Sequence, residues 1–129
     1  MLRTGILNPS LLALLARIRH TNTLVIADRG FPSWPGLETV DLSVVDDLPT
    51  VAQVLCAIRP NFGIGRVFAA QELMSANSPD KLAPHLAALA GLTLTMEAHT
   101  EFKKRVPSAV GLIRTGDTTQ YANLILESA

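Results

Sequence analysis

What most constrains this chain is a repeated change of hydrophobic period. Short runs that are apolar on both faces alternate with segments whose apolar residues recur at helical spacing, and the alternation persists through all 129 residues. Asn8 followed by Pro9 has the form of an N-cap with proline in the first turn, and Leu11, Leu14, Leu15 and Ile18 then fall on one helical face. That stripe lasts barely two turns, which suits a helix facing a core and is too short for a zipper. His20 lies at the end of the segment. Leu24 to Ala27 is apolar on both faces and partly β-branched, the pattern of a central strand covered by helices on each side, and Asp28 closes it. A loop rich in glycine and proline, from Gly30 to Gly36, then leads to alternating Val40, Leu42 and Val44, which predict another strand.

Thr50 and Gln53 have the spacing of a capping box ahead of a second helix from Val51 to Ile58. Val67 to Ala70 reads as a strand. Ser78-Pro79-Asp80 repeats the cap-then-proline signal, and the helix it opens carries Leu82, Leu86 and Leu89 until Gly91 stops it. Leu92 to Met96 is expected to be extended, Thr100 to cap a short helix ending before Pro107, and Val110 to Ile113 and Tyr121 to Leu126 to form closing strands. Strands separated by helices define an α/β class: one layered domain over residues 1–129, with a mostly parallel or mixed central sheet flanked by helices. In such folds the ends of the strands and the loops after them are the natural ligand site.

Composition limits what this fold can serve. Asp, Glu, Lys and Arg make up 17% of the chain against 48% apolar residues, where about 25% charged is usual. A domain of this length buries roughly two-thirds of its unfolded surface, and too few charges remain to cover a lone subunit. With a formal net charge of zero nothing opposes association, so a homo-oligomer is expected. Balanced charge without a basic stripe argues against nucleic acid. The basic run Lys103-Lys104-Arg105 follows Glu101 and reads as a solvated helix face. Leu11 to Ala16 is shorter than a secretory core and far below a membrane span, so the expectation is no membrane partner and a cytoplasmic location. Cys56, the sole cysteine, excludes an internal disulfide, reads as a small buried hydrophobe, and fits a reducing compartment.

Common catalytic signatures are mostly absent: there is no Gly-x-Ser-x-Gly elbow, phosphate loop or paired-cysteine site. Gly63-Ile64-Gly65 lacks the third glycine of a dinucleotide loop and precedes a strand where that loop follows one, so it reads as a turn. His20, His85 and His99 show no ligand spacing on one element. Neither a metal nor a cofactor is expected. His85, between Pro84 and Leu86 in a helix, reads as structural. His20 alone fits a histidine facing the carbonyls of a helix end, and Asp28 alone fits a residue holding a turn. A five-residue strand rises about 16 Å, so spacing by itself does not bring His20 to Asp28.

Three segments in order are similar to the ribose pyranase and fucose mutarotase family: Gly5-Ile-Leu-Asn-Pro9 leading to Arg19-His20-Thr21, Leu24-Val-Ile-Ala-Asp28-Arg-Gly-Phe-Pro32, and Ile113-Arg-Thr-Gly116 leading to Tyr121-Ala-Asn-Leu-Ile-Leu126. His99-Thr-Glu-Phe-Lys103 between them also matches. The set runs almost from the first residue to the last. The resemblance implies a cofactor-free cytoplasmic isomerase that interconverts ring forms of a free monosaccharide, ribose in preference to fucose. It implies that His20 is the proton donor, that Asp28 and His99 bind the sugar, and that Tyr121 and Asn123 add contacts. It further implies a ring-shaped oligomer, a decamer of two pentameric rings in the ribose branch, with sites near subunit boundaries.

The chemistry fits those roles. Converting a pyranose to a furanose means protonating the ring oxygen while the anomeric hydroxyl loses a proton, then closing through another hydroxyl. General acid and base groups suffice, and histidine, titrating near neutrality, can do both. Asp28, His99, Asn123 and the Tyr121 hydroxyl supply mixed acceptors and donors for several sugar hydroxyls. Two residues depart from the family pattern. Arg19 stands where glycine is usual and Arg29 where a small residue is typical. Arg29 is read as solvent-facing, with pairing to Asp28 or contact with an acidic or phosphorylated substrate as alternatives. Trp34 has two readings, stacking on a sugar face or packing at a subunit interface. The competing functions are mutarotation of fucose or another monosaccharide, and a non-catalytic sugar-binding or transport-accessory role.

Overall fold

The computed structural model describes residues 1–129 and pairs six strands in one sheet: β1 (Thr23–Ala27), β2 (Thr39–Asp41), β3 (Ile64–Ala70), β4 (Leu94–Glu97), β5 (Gly111–Arg114) and β6 (Leu124–Ser128). The helices are α1 (Pro9–Arg17), α2 (Val51–Ile58), α3 (Glu72–Ser75), α4 (Pro79–Leu89) and α5 (His99–Arg105). In the spatial order β2-β5-β1-β6-β3-β4, β1 is parallel to β5, β5 to β2 and β3 to β4, whereas β6 is antiparallel to both β1 and β3. All strands but β6 therefore run one way. Their carboxyl ends open on a single edge, and β6 enters the sheet from that same edge.

Alternation along β1 assigns the two faces. Leu24 and Ile26 pack with Leu14 of α1 and Leu55 and Ile58 of α2 in the larger core, while Val25 and Ala27 turn to Phe102, Val106 and Leu112 in the smaller one. Both faces are thus covered, as an apolar central strand requires. Gly111 is needed for this packing, because a Cβ there would lie 2.5 Å from Leu14 Cδ1.

The cap signals are realised. Asn8 accepts from the Leu11 amide at 2.9 Å, Ser78 from Lys81, and Thr50 from Gln53 at 3.1 Å while the Gln53 side chain accepts from the Thr50 amide at 2.9 Å. Thr50→Ala is expected to cost about 1 kcal/mol, read as a lower urea midpoint at unchanged m-value. An unmoved midpoint would deny the capping box any role in stability.

Several sequence expectations need correction. The strand after the Gly30–Gly36 loop is only three residues, because Asp41 accepts from the Ser43 amide and turns the chain off the ladder, leaving Val44 and Val45 exposed. Helix α5 starts at His99, with Ala98 rather than Thr100 at its cap position, and a carboxylate from α3 takes the role of a capping side chain. Tyr121 to Asn123 is not strand: Tyr121 has φ of 56° in a turn, and β6 begins at Leu124. Gly65 sits inside β3, where the register against β6 shifts between Ile64 and Arg66, instead of in a turn. Cys56 is exposed, since α2 buries Val51, Val54, Leu55 and Ile58 on its other side. Helix α3 carried no sequence signal, being four residues long without a capping side chain. No helix is long and apolar enough to cross a membrane.

Candidate active site

A cavity of about 290 Å³ opens on the carboxyl edge of the sheet, lined by Asp28, Gly30, Phe31, Pro32, His99, Gln120, Tyr121 and Asn123. It gathers Asp28, His99, Tyr121 and Asn123, which are separated by up to 95 positions in sequence, because β1 and β4 end at this edge and β6 begins there. A larger cavity of about 490 Å³ lies between the N-terminal segment, α1 and the end of α2. Its lining, from Leu2, Ile6 and Leu15 to Phe62, contains no titratable side chain, so it has no means of moving a proton.

Asp28 follows β1 directly. Its amide donates to Asn123 Oδ1 at 2.7 Å, and its carboxylate accepts from the Gly30 amide at 3.0 Å. Burial raises the Asp28 carboxyl above the ordinary carboxylate value; the amides of Gly30 and Phe31 and the Asn123 side chain oppose the shift, and the nearby charge of Asp117 adds to it. Asn123 is almost fully buried and ties the first residue after β1 to the last before β6. The loop after Asp28 is held from below by Arg114, whose guanidinium donates to the carbonyls of Asp28, Arg29 and Pro32 at 3.2, 3.4 and 3.3 Å.

His99 opens α5 with its ring stacked on Phe102 at 6.0 Å and meeting the edges of Tyr121 at 5.0 Å and Phe31 at 6.3 Å. Burial pushes its pKa down, the Lys103 charge acts in the same sense, and Glu72 and Asp28 partly offset both. His99 Nδ1 is buried without a hydrogen-bond partner. An orphan of this kind is uncommon in a protein interior. Together the wall offers one carboxylate, one imidazole, one phenol and one carboxamide, which can engage several hydroxyls of a small molecule at once.

His20 is not among the lining residues. It is exposed at the amino end of β1, where the Thr21 amide donates to the Ser128 carbonyl and the Ser128 amide to the Asn22 carbonyl. Asp28 stands at the opposite end of that strand, about 16 Å along it. Neither unusual arginine enters the cavity. Arg19 donates to the Ala16 and Ile18 carbonyls at the end of α1, and Arg29 turns outward to Asp46 at 2.5 Å. Trp34 stacks on Phe31 at 5.8 Å and so backs a wall of the cavity without lining it.

His85 is buried as a structural residue, but with a partner the sequence did not indicate. Its Nε2 lies 3.3 Å from Asp117 Oδ2, and the Asp117 carboxylate also accepts from the amides of Val51 and Thr119, both at 2.8 Å. Burial lowers the His85 pKa below its ordinary 6.5, against the pull of Asp117, with the Lys81 charge also lowering it and Asp47 opposing. His85 and His99 thus bind fewer protons folded than unfolded just below 6.5. Stability should therefore fall as pH drops through that value toward their folded pKa values. Urea midpoints between pH 7 and 5 check this. His85→Gln should flatten the slope; an equal slope in wild type and variant would contradict the assignment.

Phe31, Gln120 and Arg114 were not singled out from sequence as site residues. Phe31 and Arg114 lie inside the segments that carry the family resemblance, which was the available signal; Gln120 had none.

A mixed-sheet α/β domain with a small pocket at the carboxyl ends of its strands belongs to the class of α/β proteins that offer a small-molecule site at the strand ends. The chain belongs to the RbsD / FucU transport protein family, whose model matches residues 1–129. It is 40% identical over 128 residues to a D-ribose pyranase of Chromobacterium violaceum, covering 99% of this chain and 97% of that one. To a D-ribose pyranase of Geobacillus kaustophilus it is 38% identical over 128 residues, covering 99% and 93%. Among solved structures it resembles Bacillus subtilis RbsD complexed with D-ribose, with a TM-score of 0.90 at 32% identity and coverage of 100% and 98%. The fucose mutarotase of Streptococcus pneumoniae in complex with L-fucose shares the fold, with a TM-score of 0.79 at 21% identity over 95% and 92% of the two chains.

Proposed function

We propose that this protein is a D-ribose pyranase: an isomerase that binds free D-ribose between Asp28, His99, Tyr121 and Asn123 and interconverts its pyranose and furanose forms by general acid and base catalysis, without a cofactor. The observation that carries the reading is the convergence of those four side chains, far apart in sequence, on one small cavity, in a chain similar over its whole length to D-ribose pyranases. Asp28 and Asn123 are fixed by their mutual hydrogen bond and so present a preset acceptor and donor to the sugar. The fucose alternative has the weaker support, a shared fold at lower identity. Arg29 turns away from the cavity to Asp46, which removes one motive for a non-catalytic role.

In this reading His20, the proton carrier, reaches the sugar from a neighbouring copy. A residue at one end of the sheet and a pocket at the other make the contact head-to-tail, and a head-to-tail interface closes into a ring or runs on as a filament. Such a geometry favours a ring-shaped homo-oligomer, with each 1–129 domain supplying a pocket to one boundary and a histidine to the next; the resemblance to the ribose branch implies its form as a decamer of two pentamers. The exposed Met1, Leu2, Leu7, Val44 and Val45 provide apolar surface for that assembly. The cytoplasm is the compartment that fits, with a free exposed thiol at Cys56. Two-dimensional NMR exchange on D-ribose tests the activity: added protein should accelerate pyranose–furanose exchange, more for ribose than for L-fucose. Exchange at the buffer rate would refute it.

A further inference from the structure

Two walls of the pocket, His99 and Tyr121, belong to separate segments that no β-ladder joins directly. His99 is the first residue of α5, and Tyr121 lies in the turn before β6 with a left-handed backbone that a non-glycine residue adopts only under constraint. Both segments are fastened to the same short stretch of chain, α3 and the residues just after it. Glu72 receives the His99 amide on both carboxylate oxygens, at 3.0 and 3.2 Å. Asn77 accepts from the Gln120 amide at 3.1 Å and donates to the Gln120 carbonyl at 2.8 Å, while its second amide hydrogen reaches the Leu73 carbonyl at 2.8 Å. Both Asn77 amide hydrogens and its oxygen are thereby engaged. It locks the residue next to Tyr121 onto the end of α3.

We propose that Glu72 and Asn77 are positioning residues: a two-point brace that sets the His99 imidazole against the Tyr121 ring and so fixes the spacing of the sugar-binding wall. The proposal rests on the reading of this pocket as a monosaccharide site. The geometry explains why a four-residue helix is retained beside the cavity. Held at one end by Glu72 and at the other by Asn77, α3 transfers its own anchorage, through buried Leu73, to both rings. The resulting edge contact at 5.0 Å is an outcome of backbone clamps rather than of any bond between the two side chains. Glu72 also contributes a charge beside His99, which raises that imidazole against the effects of burial and Lys103.

Tyr121 is the only tyrosine, so 3-fluorotyrosine gives a single ¹⁹F resonance that reports on this wall with or without sugar. Asn77→Ala should move that resonance toward the position seen in denaturant, and Glu72→Ala should broaden or shift it. Each variant should weaken D-ribose about tenfold, the scale of one lost well-placed hydrogen bond, as a higher KM with kcat little changed. A merely destabilised protein would instead lose kcat through a smaller folded fraction. Glu72→Gln retains one acceptor oxygen for the His99 amide and should recover most of the affinity, while NMR titration shows His99 protonating at still lower pH. If Asn77→Ala fails to fold, Asn77→Asp decides, since it keeps the acceptor for the Gln120 amide but loses both donations; the same displaced resonance is expected. An unmoved resonance with unchanged KM in folded Asn77 and Glu72 variants overturns the brace. Wild-type protein that leaves D-ribose unaffected overturns the sugar reading, and the ¹⁹F comparison still decides the brace.

Discussion

Replacing His20 by alanine is expected to slow pyranose–furanose exchange of D-ribose by about 10²–10⁴-fold, the usual contribution of one general acid–base group. Binding of the sugar should survive, because the four side chains proposed to hold it, Asp28, His99, Tyr121 and Asn123, lie at the far end of β1 from the substituted position. The pairing of lost rate with kept affinity is what distinguishes a proton carrier from a binding contact. Calorimetric titration with D-ribose beside NMR exchange measures both. Unchanged exchange in His20→Ala would remove this imidazole from the chemistry; abolished binding would make it a contact instead.

Phe102→Ala is expected to cost about 3–5 kcal/mol, the range for deleting a fully buried aromatic ring. Phe102 has no exposed surface and joins both halves of the smaller core, with His99 stacked over it at 6.0 Å and Phe31 edge-on at 6.3 Å. Its loss opens a cavity directly beneath two lining residues of the pocket. Sugar affinity should therefore fall with stability, whereas Phe102→Leu, which refills much of the space, should do less of both. Urea denaturation at pH 7 gives the stability change. A loss below about 1 kcal/mol would mean that the neighbouring side chains collapse into the space and that the ring does not support the site.

Elements with a local cause were readable. Asn8, Thr50 and Ser78 each satisfy an orphan amide within three residues of themselves, so their helices are announced by adjacent letters. Leu24 to Ala27 is apolar on both faces because both faces are covered, and no distant information is needed to see it. What stayed hidden depends on partners remote in sequence. The antiparallel entry of β6 between β1 and β3 is a matter of tertiary pairing, and the left-handed Tyr121 in the turn before it has no local signal, since a tyrosine carries no local preference for that conformation. Helix α5 starts at His99 because Glu72, 27 residues earlier, takes its amide, so Thr100 was the wrong cap to read from spacing alone. Cys56 was misplaced because a short apolar run does not reveal which side of a helix faces the sheet.

The pocket shows the same division. Asp28, His99, Tyr121 and Asn123 came from the ordered resemblance and meet in one cavity, although nothing in their spacing predicted it. The residues that hold them, Arg114 under the Asp28 loop, Glu72 behind His99 and Asn77 beside Tyr121, act through backbone amides and carbonyls. Contacts of that kind leave no motif, because many side chains can make them and only the fold decides which one does.

In the proposed reading the separation of His20 from the pocket within one chain makes assembly part of the chemistry, and this can be measured without a structure of the oligomer. His20→Ala subunits keep an intact pocket, and Asp28→Asn subunits keep an intact histidine. Each variant alone should be nearly inactive in ribose exchange. Co-expressed in equal amounts, they should recover about a quarter of wild-type activity, since half of the pockets are intact and half of those face a copy that retains His20. No recovery in verified mixed oligomers would contradict a site shared between neighbouring copies.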